Sequence, residues 1–359
     1  MGLWSWILDR LTEDGSGDST AQVRAESEQA LKDGETAAVA TLEREEESAK
    51  PDEGETPQIW WRPEGATLLE PPEVTHPDLP LEARALENLL VSHFDGHDLS
   101  MPPLLHIAER VLGRLRDPKC CMSSVADEIA EDQVVAAAVF RMTNSPLYRG
   151  VQEITALQPA VTRLGARAIQ TLMMHESLRA AYFQGKGWSA GLARLLWERS
   201  LAGACIMRAL CKFTGVAEED AYLIGLLHDI GGVIVLRIVH DNSKFTNYEP
   251  DLETFDFLCS ECHQEFGELV ADSWQLPSYL KELISGHHVY PEPDDDLRTQ
   301  RLQLQLTDMI VAMLGYTQYF AYDLPNSRAV RDLGLMDRSG FTAFLDGLPE
   351  YVEETIEAL

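Results

Sequence analysis

Gly225-Leu226-Leu227-His228-Asp229-Ile230-Gly231 sets a histidine and a carboxylate side by side within a predicted helix over 218–238. Leu226, Leu227 and Ile230 surround the pair, and a carboxylate buried there without a partner would cost several kcal/mol. The same tension recurs at Asp308, set among Leu304, Leu306, Met309 and Ile310. Between the two lie His263 and the adjacent His287 and His288, each on or beside a predicted helix. Any one such histidine is commonly a core or surface residue. Imidazoles and carboxylates together suit a borderline or hard divalent ion, so the joint pattern points to a site.

Outward from this stretch, almost every window from Leu81 onward repeats its apolar residues with a period of 3.6 rather than 2, as at Leu104, Leu105, Ile107, Ala108, Val111, Leu112 and Leu115. Ser124 with Asp127 reads as a helix-start box ahead of Val125 and Ile129, and Asn144-Ser145-Pro146 ends the run from Val134 to Phe140. Further helices are predicted over 157–165, 167–182, 190–213, 218–238, 261–274, 277–287, 299–314 and 341–357. The fold class is therefore all-α, with no internal repeat.

Ahead of it, Leu3, Trp4, Ile7, Leu8 and Leu11 predict a short amphipathic helix over 1–12, better suited to docking on protein than to an anionic membrane. Residues 13–80 read as an acidic linker: no aromatic residue occurs from Glu13 to Glu55, and such a stretch is too polar to offset its own ordering entropy. Trp60, Trp61, Pro63, Pro71 and Pro72 mark an extended stretch that can pack on the domain surface.

A formal charge of -30 repels phosphate backbones, which argues against direct nucleic-acid binding. The apolar start is too short for a secretory leader, and Trp6 stands where a myristoylation signal has Ser or Thr. No uninterrupted run of about 18 apolar residues is present. A soluble cytoplasmic protein with reduced cysteines is the expectation. Cys259, Cys262 and His263 spell C-x-x-C-H, but haem attachment needs export; Cys205 and Cys211 read as small buried hydrophobes. His93, Asp95, His97 and Asp98 fall in a polar turn, Trp188 and Trp197 read as core, and Lys186, Arg194, Arg199 and Arg208 are too scattered for a phosphate patch.

Gly225 to Gly231 resembles the signature of the HD phosphohydrolase superfamily, in which a histidine on the preceding helix, the His-Asp pair and a later Asp bind metal. His263 with Gly267, Trp274 with Leu276-Pro277, His287-His288 and Asp308 resemble landmarks shared by the HDOD and HD-GYP branches. Pro103 to Leu115, Asn144-Ser145-Pro146-Leu147-Tyr148 and Ala160 to Leu164-Gly165 resemble the N-terminal half that distinguishes HDOD proteins. The resemblance covers about 96–300 and implies an HD-type helical bundle with an additional N-terminal half, an HDOD domain over 81–320 and a helical extension over 321–359. Aligned by Ser200 and Ala204, Arg199 stands where active enzymes carry the first metal-binding histidine. Gly232 replaces a common lysine, Val289 a common glutamate, and only Tyr290-Pro291 stands in place of a G-Y-P element.

The resemblance thus implies a bacterial, non-enzymatic regulatory module in signal transduction, a pseudoenzyme whose degenerate site comprises Arg199, His228, Asp229, His263, His287, His288 and Asp308. No cofactor is expected; a retained divalent metal would sit on His228, Asp229 and Asp308. Partners are a signalling protein or a small signal. A metal-dependent phosphohydrolase with an altered ligand set, and a purely structural domain, remain the alternatives. If Arg199 replaces the metal, a bidentate pair between its guanidinium and a carboxylate is expected.

Overall fold

Among the described residues, amphipathic and fully apolar helices pack without a sheet, so their buried stripes face mainly other helices. A computed structural model describes residues 60–63, 66–71, 81–96, 101–145, 148, 154–183, 189–246, 248–317 and 320–358. The predicted helix over 1–12, the acidic linker up to residue 59, and His97, Asp98, Lys186 and Trp188 lie outside the described residues. Residues from Trp60 onward form one compact unit.

The N-terminal half comprises α1 (Leu81–Gly96), α2 (His106–Leu115), α3 (Met122–Ile129), α4 (Gln133–Asn144) and α5 (Leu157–Tyr182). The HD-type half follows with α6 (Ser189–Thr214), α7 (Glu218–Leu227), α8 (Gly231–Thr246), α9 (Leu252–Ser260), α10 (His263–Ser273), α11 (Ser278–Gly286) and α12 (Arg298–Met313). A 3-10 turn (Leu324–Asn326), α13 (Arg328–Asp332) and α14 (Phe341–Ala358) close the chain. Among the described residues the sole β feature is an isolated parallel bridge between Leu68 and Tyr322. The all-α expectation holds.

Several local expectations are corrected. Ser124 is not an N-cap: Cys121 holds that position for α3, and the Ser124 hydroxyl donates back to the Cys121 carbonyl at 2.8 Å. The cap that forms is at Asp132, whose carboxylate accepts from the amides of Val134 and Val135. The helices predicted over 157–165 and 167–182 are one element bent at Gly165, which has φ +74°. His93 and Asp95 belong to α1 rather than to a turn.

The predicted helix over 218–238 breaks at 228–230. Glu218–Ser243 reaches a mean hydropathy of 1.8, enough by composition for a membrane span, yet 94% of that window is buried inside the protein. Its apolarity serves a core.

Two buried clusters share α6. One face, with Leu192, Leu196, Trp197 and Leu201, joins the large core built from α1 to α11. The other, with Ala202, Cys205, Ile206 and Leu210, joins a second core with α12, Trp61, Tyr322 and the C-terminal helix. Residues 60–63 and 66–71 therefore belong to the folded unit, within the span expected as linker up to residue 80. The Trp60 indole N–H donates to the Leu345 carbonyl at 2.9 Å and that of Trp61 to Asp346 Oδ1 at 2.7 Å.

Candidate functional site

The turn at 228–230 is held by close helix approach on both sides. A Cβ on Gly225 would overlap the carbonyl of Gly203 on α6, and one on Gly231 would overlap the carbonyl of His263 on α10. Only glycine lets the backbones meet there. His228, Asp229 and His263 are thereby brought to one point, while α11 delivers His287 and His288 at its C-terminal end and α12 delivers Asp308.

Three histidines are oriented by backbone carbonyls, which can only accept. Nδ1–H of His228 donates to Gly225 O at 2.8 Å, that of His263 to Cys259 O at 2.7 Å and that of His287 to Ile284 O at 2.8 Å. Their Nε2 atoms then point into the site, the arrangement that fixes metal-ligating imidazoles.

Two different environments result. His228 Nε2 lies 3.1 Å from Asp308 Oδ1 and 3.3 Å from Asp229 Oδ2. Burial opposes protonation, but the two carboxylates outweigh it and raise His228 to about 10. His263 Nε2 lies 3.2 Å from His287 Nε2 and 3.1 Å from His288 Nε2, and Asp229 Oδ1 lies 3.5 Å from the Nε2 of both His263 and His287. Burial above all, helped by His287, lowers His263 to about 4; His288, through burial of its ring and its two neighbours, falls to about 3. The three Nε2 atoms thus crowd together beside Asp229.

A shared cation would fit such a set of donors. The donor separations are close to the ~3.3 Å between ligands around a tetrahedral zinc, and three imidazoles with one carboxylate fit a borderline dication. The histidine nitrogens of His263, His287 and His288 all lie within 4.8 Å of one another. The set expected from the sequence was His228, Asp229 and Asp308, and this histidine group lies beside it, with Asp229 facing both.

Arg199 completes the cluster. Its Nη2 lies 2.8 Å from Asp229 Oδ2 and its Nη1 4.0 Å from Asp256 Oδ1. Burial would lower the guanidinium, but Asp229 and Asp256 raise it above its ordinary value. The expected bidentate pair does not form: one nitrogen makes contact, and neither buried oxygen of Asp229 has an aligned hydrogen-bond donor. Even so, Arg199 and His228 overcome burial and hold Asp229 well below the usual carboxylate range. Asp308 is likewise lowered, burial being outweighed by His228.

All seven residues singled out from sequence meet here. Asp256 on α9 is an addition; its Oδ2 accepts from Thr317 Oγ1 at 3.5 Å. A carboxylate between buried Phe255 and Phe257 is the signal that could have flagged it. In the C-x-x-C-H element, Cys259 contributes its carbonyl, and burial pushes its thiol well above the ordinary value and that of Cys262 up to about 12.

With this geometry in hand, the HDOD domain matches residues 101–290. The chain belongs to the HDOD family. The HDOD fold recurs in a Shewanella amazonensis protein provisionally named a metal-dependent phosphohydrolase, with TM-score 0.59, 18% identity and coverage of 76% of this chain and 99% of that one. It recurs in an HDOD protein of unknown function from Geobacter sulfurreducens, with TM-score 0.50, 22% identity and coverage of 75% and 98%. A Marinobacter aquaeolei protein provisionally named for signal transduction gives TM-score 0.52, 18% identity and coverage of 78% and 67%. Among curated proteins, an uncharacterised protein of Treponema pallidum is 22% identical over 224 residues, 57% of this chain but 41% of that protein's length.

Proposed function

We propose that this HDOD protein is a non-catalytic module of signal transduction, acting through a protein partner or a small signal rather than by turnover. The observation that carries this reading is Arg199, whose fixed positive charge sits 2.8 Å from Asp229 at the place where the HD resemblance puts a metal-binding histidine. A guanidinium has no lone pair for a metal and repels one. The Marinobacter protein's name fits a regulatory role.

The assay uses cyclic dinucleotides and simple phosphomonoesters with added manganese, iron(II) or magnesium. No turnover near the ~1 per second common to enzymes is expected. Turnover at that level that Asp229→Ala abolishes would overturn the reading.

The convergent His263, His287 and His288 favour a second reading, a metal-dependent phosphohydrolase with an altered ligand set. A dication there would supply Lewis acidity and a lowered pKa for its water. The chain's own part would be three imidazoles and the Asp229 carboxylate, with Nδ1–H bonds fixing His263 and His287. The same assay separates the two.

A further inference from the structure

We propose that Arg199 competes with a borderline divalent cation for Asp229, and that entry of the ion at His263, His287, His288 and Asp229 moves Arg199 onto Asp256. This deepens the regulatory reading and rests on it, but its test measures binding and not turnover.

The two oxygens of Asp229 serve opposite sides. Oδ1 faces the Nε2 atoms of His263 and His287 at 3.5 Å, and Oδ2 faces Arg199 at 2.8 Å. An ion gathered by the imidazoles shares this carboxylate with the guanidinium, and two cations on one carboxylate repel each other. The Arg199 contact lacks hydrogen-bond alignment, so little directional bonding is lost on leaving. Asp256 already faces the other guanidinium nitrogen at 4.0 Å, so a shift of about 1 Å brings the pair to hydrogen-bond length. Asp229 and Asp256 face Arg199 and Asp308 lies beside His228, and carboxylates gathered in this way attract a cation. Three imidazoles select zinc over magnesium. Asp256 is tied through Thr317 to the segment after α12, so the ion's arrival is registered next to the C-terminal core.

The test is calorimetric titration of the full chain, purified without a His tag, with zinc(II) against a competing chelator. Arg199→Ala and Arg199→Gln are expected to bind zinc on the order of 10- to 100-fold tighter than the native protein, the scale on which outer partners tune a metal site. Asp256→Asn should bind it more weakly than the native chain. The Arg199→Ala/Asp256→Asn double variant should match Arg199→Ala, because no guanidinium remains to relocate. His288→Ala removes one of the three imidazoles and should lose the site. Equal affinity of the native and Arg199→Ala chains, an Asp256→Asn effect that persists in the double variant, or undiminished binding by His288→Ala would each overturn the proposal. Should Arg199 variants not fold, the Arg199 side-chain N–H resonance in labelled native protein is followed instead. It is expected to shift on zinc saturation and to stay put in Asp256→Asn; a resonance that zinc leaves unmoved refutes the exchange.

Discussion

Asp229 and Arg199 differ from the surface ion pairs of this protein in what surrounds them. The Asp229 side chain is 9% exposed and that of Arg199 21%, whereas Arg167 and Asp220 are 67% and 38% exposed. Removing one partner of a buried pair strands the other charge, at a cost of about 3 kcal/mol or more, while an exposed pair is worth under about 1 kcal/mol. Arg199→Ala should therefore lower the unfolding free energy by about 3 kcal/mol in urea titrations with a chelator present, and Arg167→Ala by well under 1 kcal/mol. Equal small losses would mean that solvent already satisfies Asp229. The residues themselves put His228, Asp229, His263, His287, His288 and Asp308 in one set, because ionisable residues amid apolar neighbours need one another, and Arg199 joined them only through the resemblance to HD enzymes. The sequence could not tell which imidazole faces which carboxylate. His228 pairs with Asp308, and the three other histidines pair among themselves, only because helix positions not encoded in spacing decide where each Nε2 points.

Helices were legible where their apolar period ran unbroken, as in α6, predicted over 190–213 and found at Ser189–Thr214. Breaks inside apolar stretches were not legible. The run over 218–238 is apolar on both sides of 228–230, so periodicity alone passes through a turn that the glycine contacts impose. The short α9 escaped notice for a related reason: nine residues give too few turns for a pattern, although Asp251 capping the Thr254 amide at 2.9 Å was a readable start signal. With α9 went Asp256. The glycines at the start of α8 test the break directly. A Cβ on Gly231 would overlap the His263 carbonyl, whereas one on Gly232 meets only Cys259 Sγ and Leu196 methyls at 3.9 Å or beyond. Gly231→Ala should thus destabilise by roughly 2 kcal/mol or prevent folding, as overpacking does. Gly232→Ala should be neutral or stabilising by up to ~1 kcal/mol, as alanine in a helix is. Comparable thermal midpoints for the two variants would remove the close approach as the cause of the turn.

At the scale of the whole molecule, the chain from Trp60 crosses back to the C-terminal helix, more than 280 residues away in sequence, before the N-terminal half begins. Trp61 is 7% exposed within the second core, its indole is bonded to Asp346, and the Asp323 amide donates to the Leu68 carbonyl at 2.9 Å beside the Leu68–Tyr322 bridge. Composition marked the two tryptophans as candidates for packing but gave no partner, since nothing in a local pattern pairs residue 61 with residue 346. Residues 13–55 are acidic and lack aromatics, a composition that offers little apolar area for burial. Two truncations test the strap. A chain lacking residues 1–56 keeps Trp60, Trp61 and both buried clusters and should melt within a degree or two of the full protein. A chain lacking residues 1–71 loses the buried Trp61 side chain and its hydrogen bond. It should lose about 3 to 5 kcal/mol, the scale of truncating a buried tryptophan, and Trp61→Ala in the full chain should reproduce most of that loss. Trp61 packs within the second core, so the destabilisation should appear first as exposure of that core. Limited proteolysis should then cut within 322–358 before it cuts within 105–290. Midpoints that do not distinguish the two truncations, or early cleavage in the HD-type half, would show that the strap does not hold the second core.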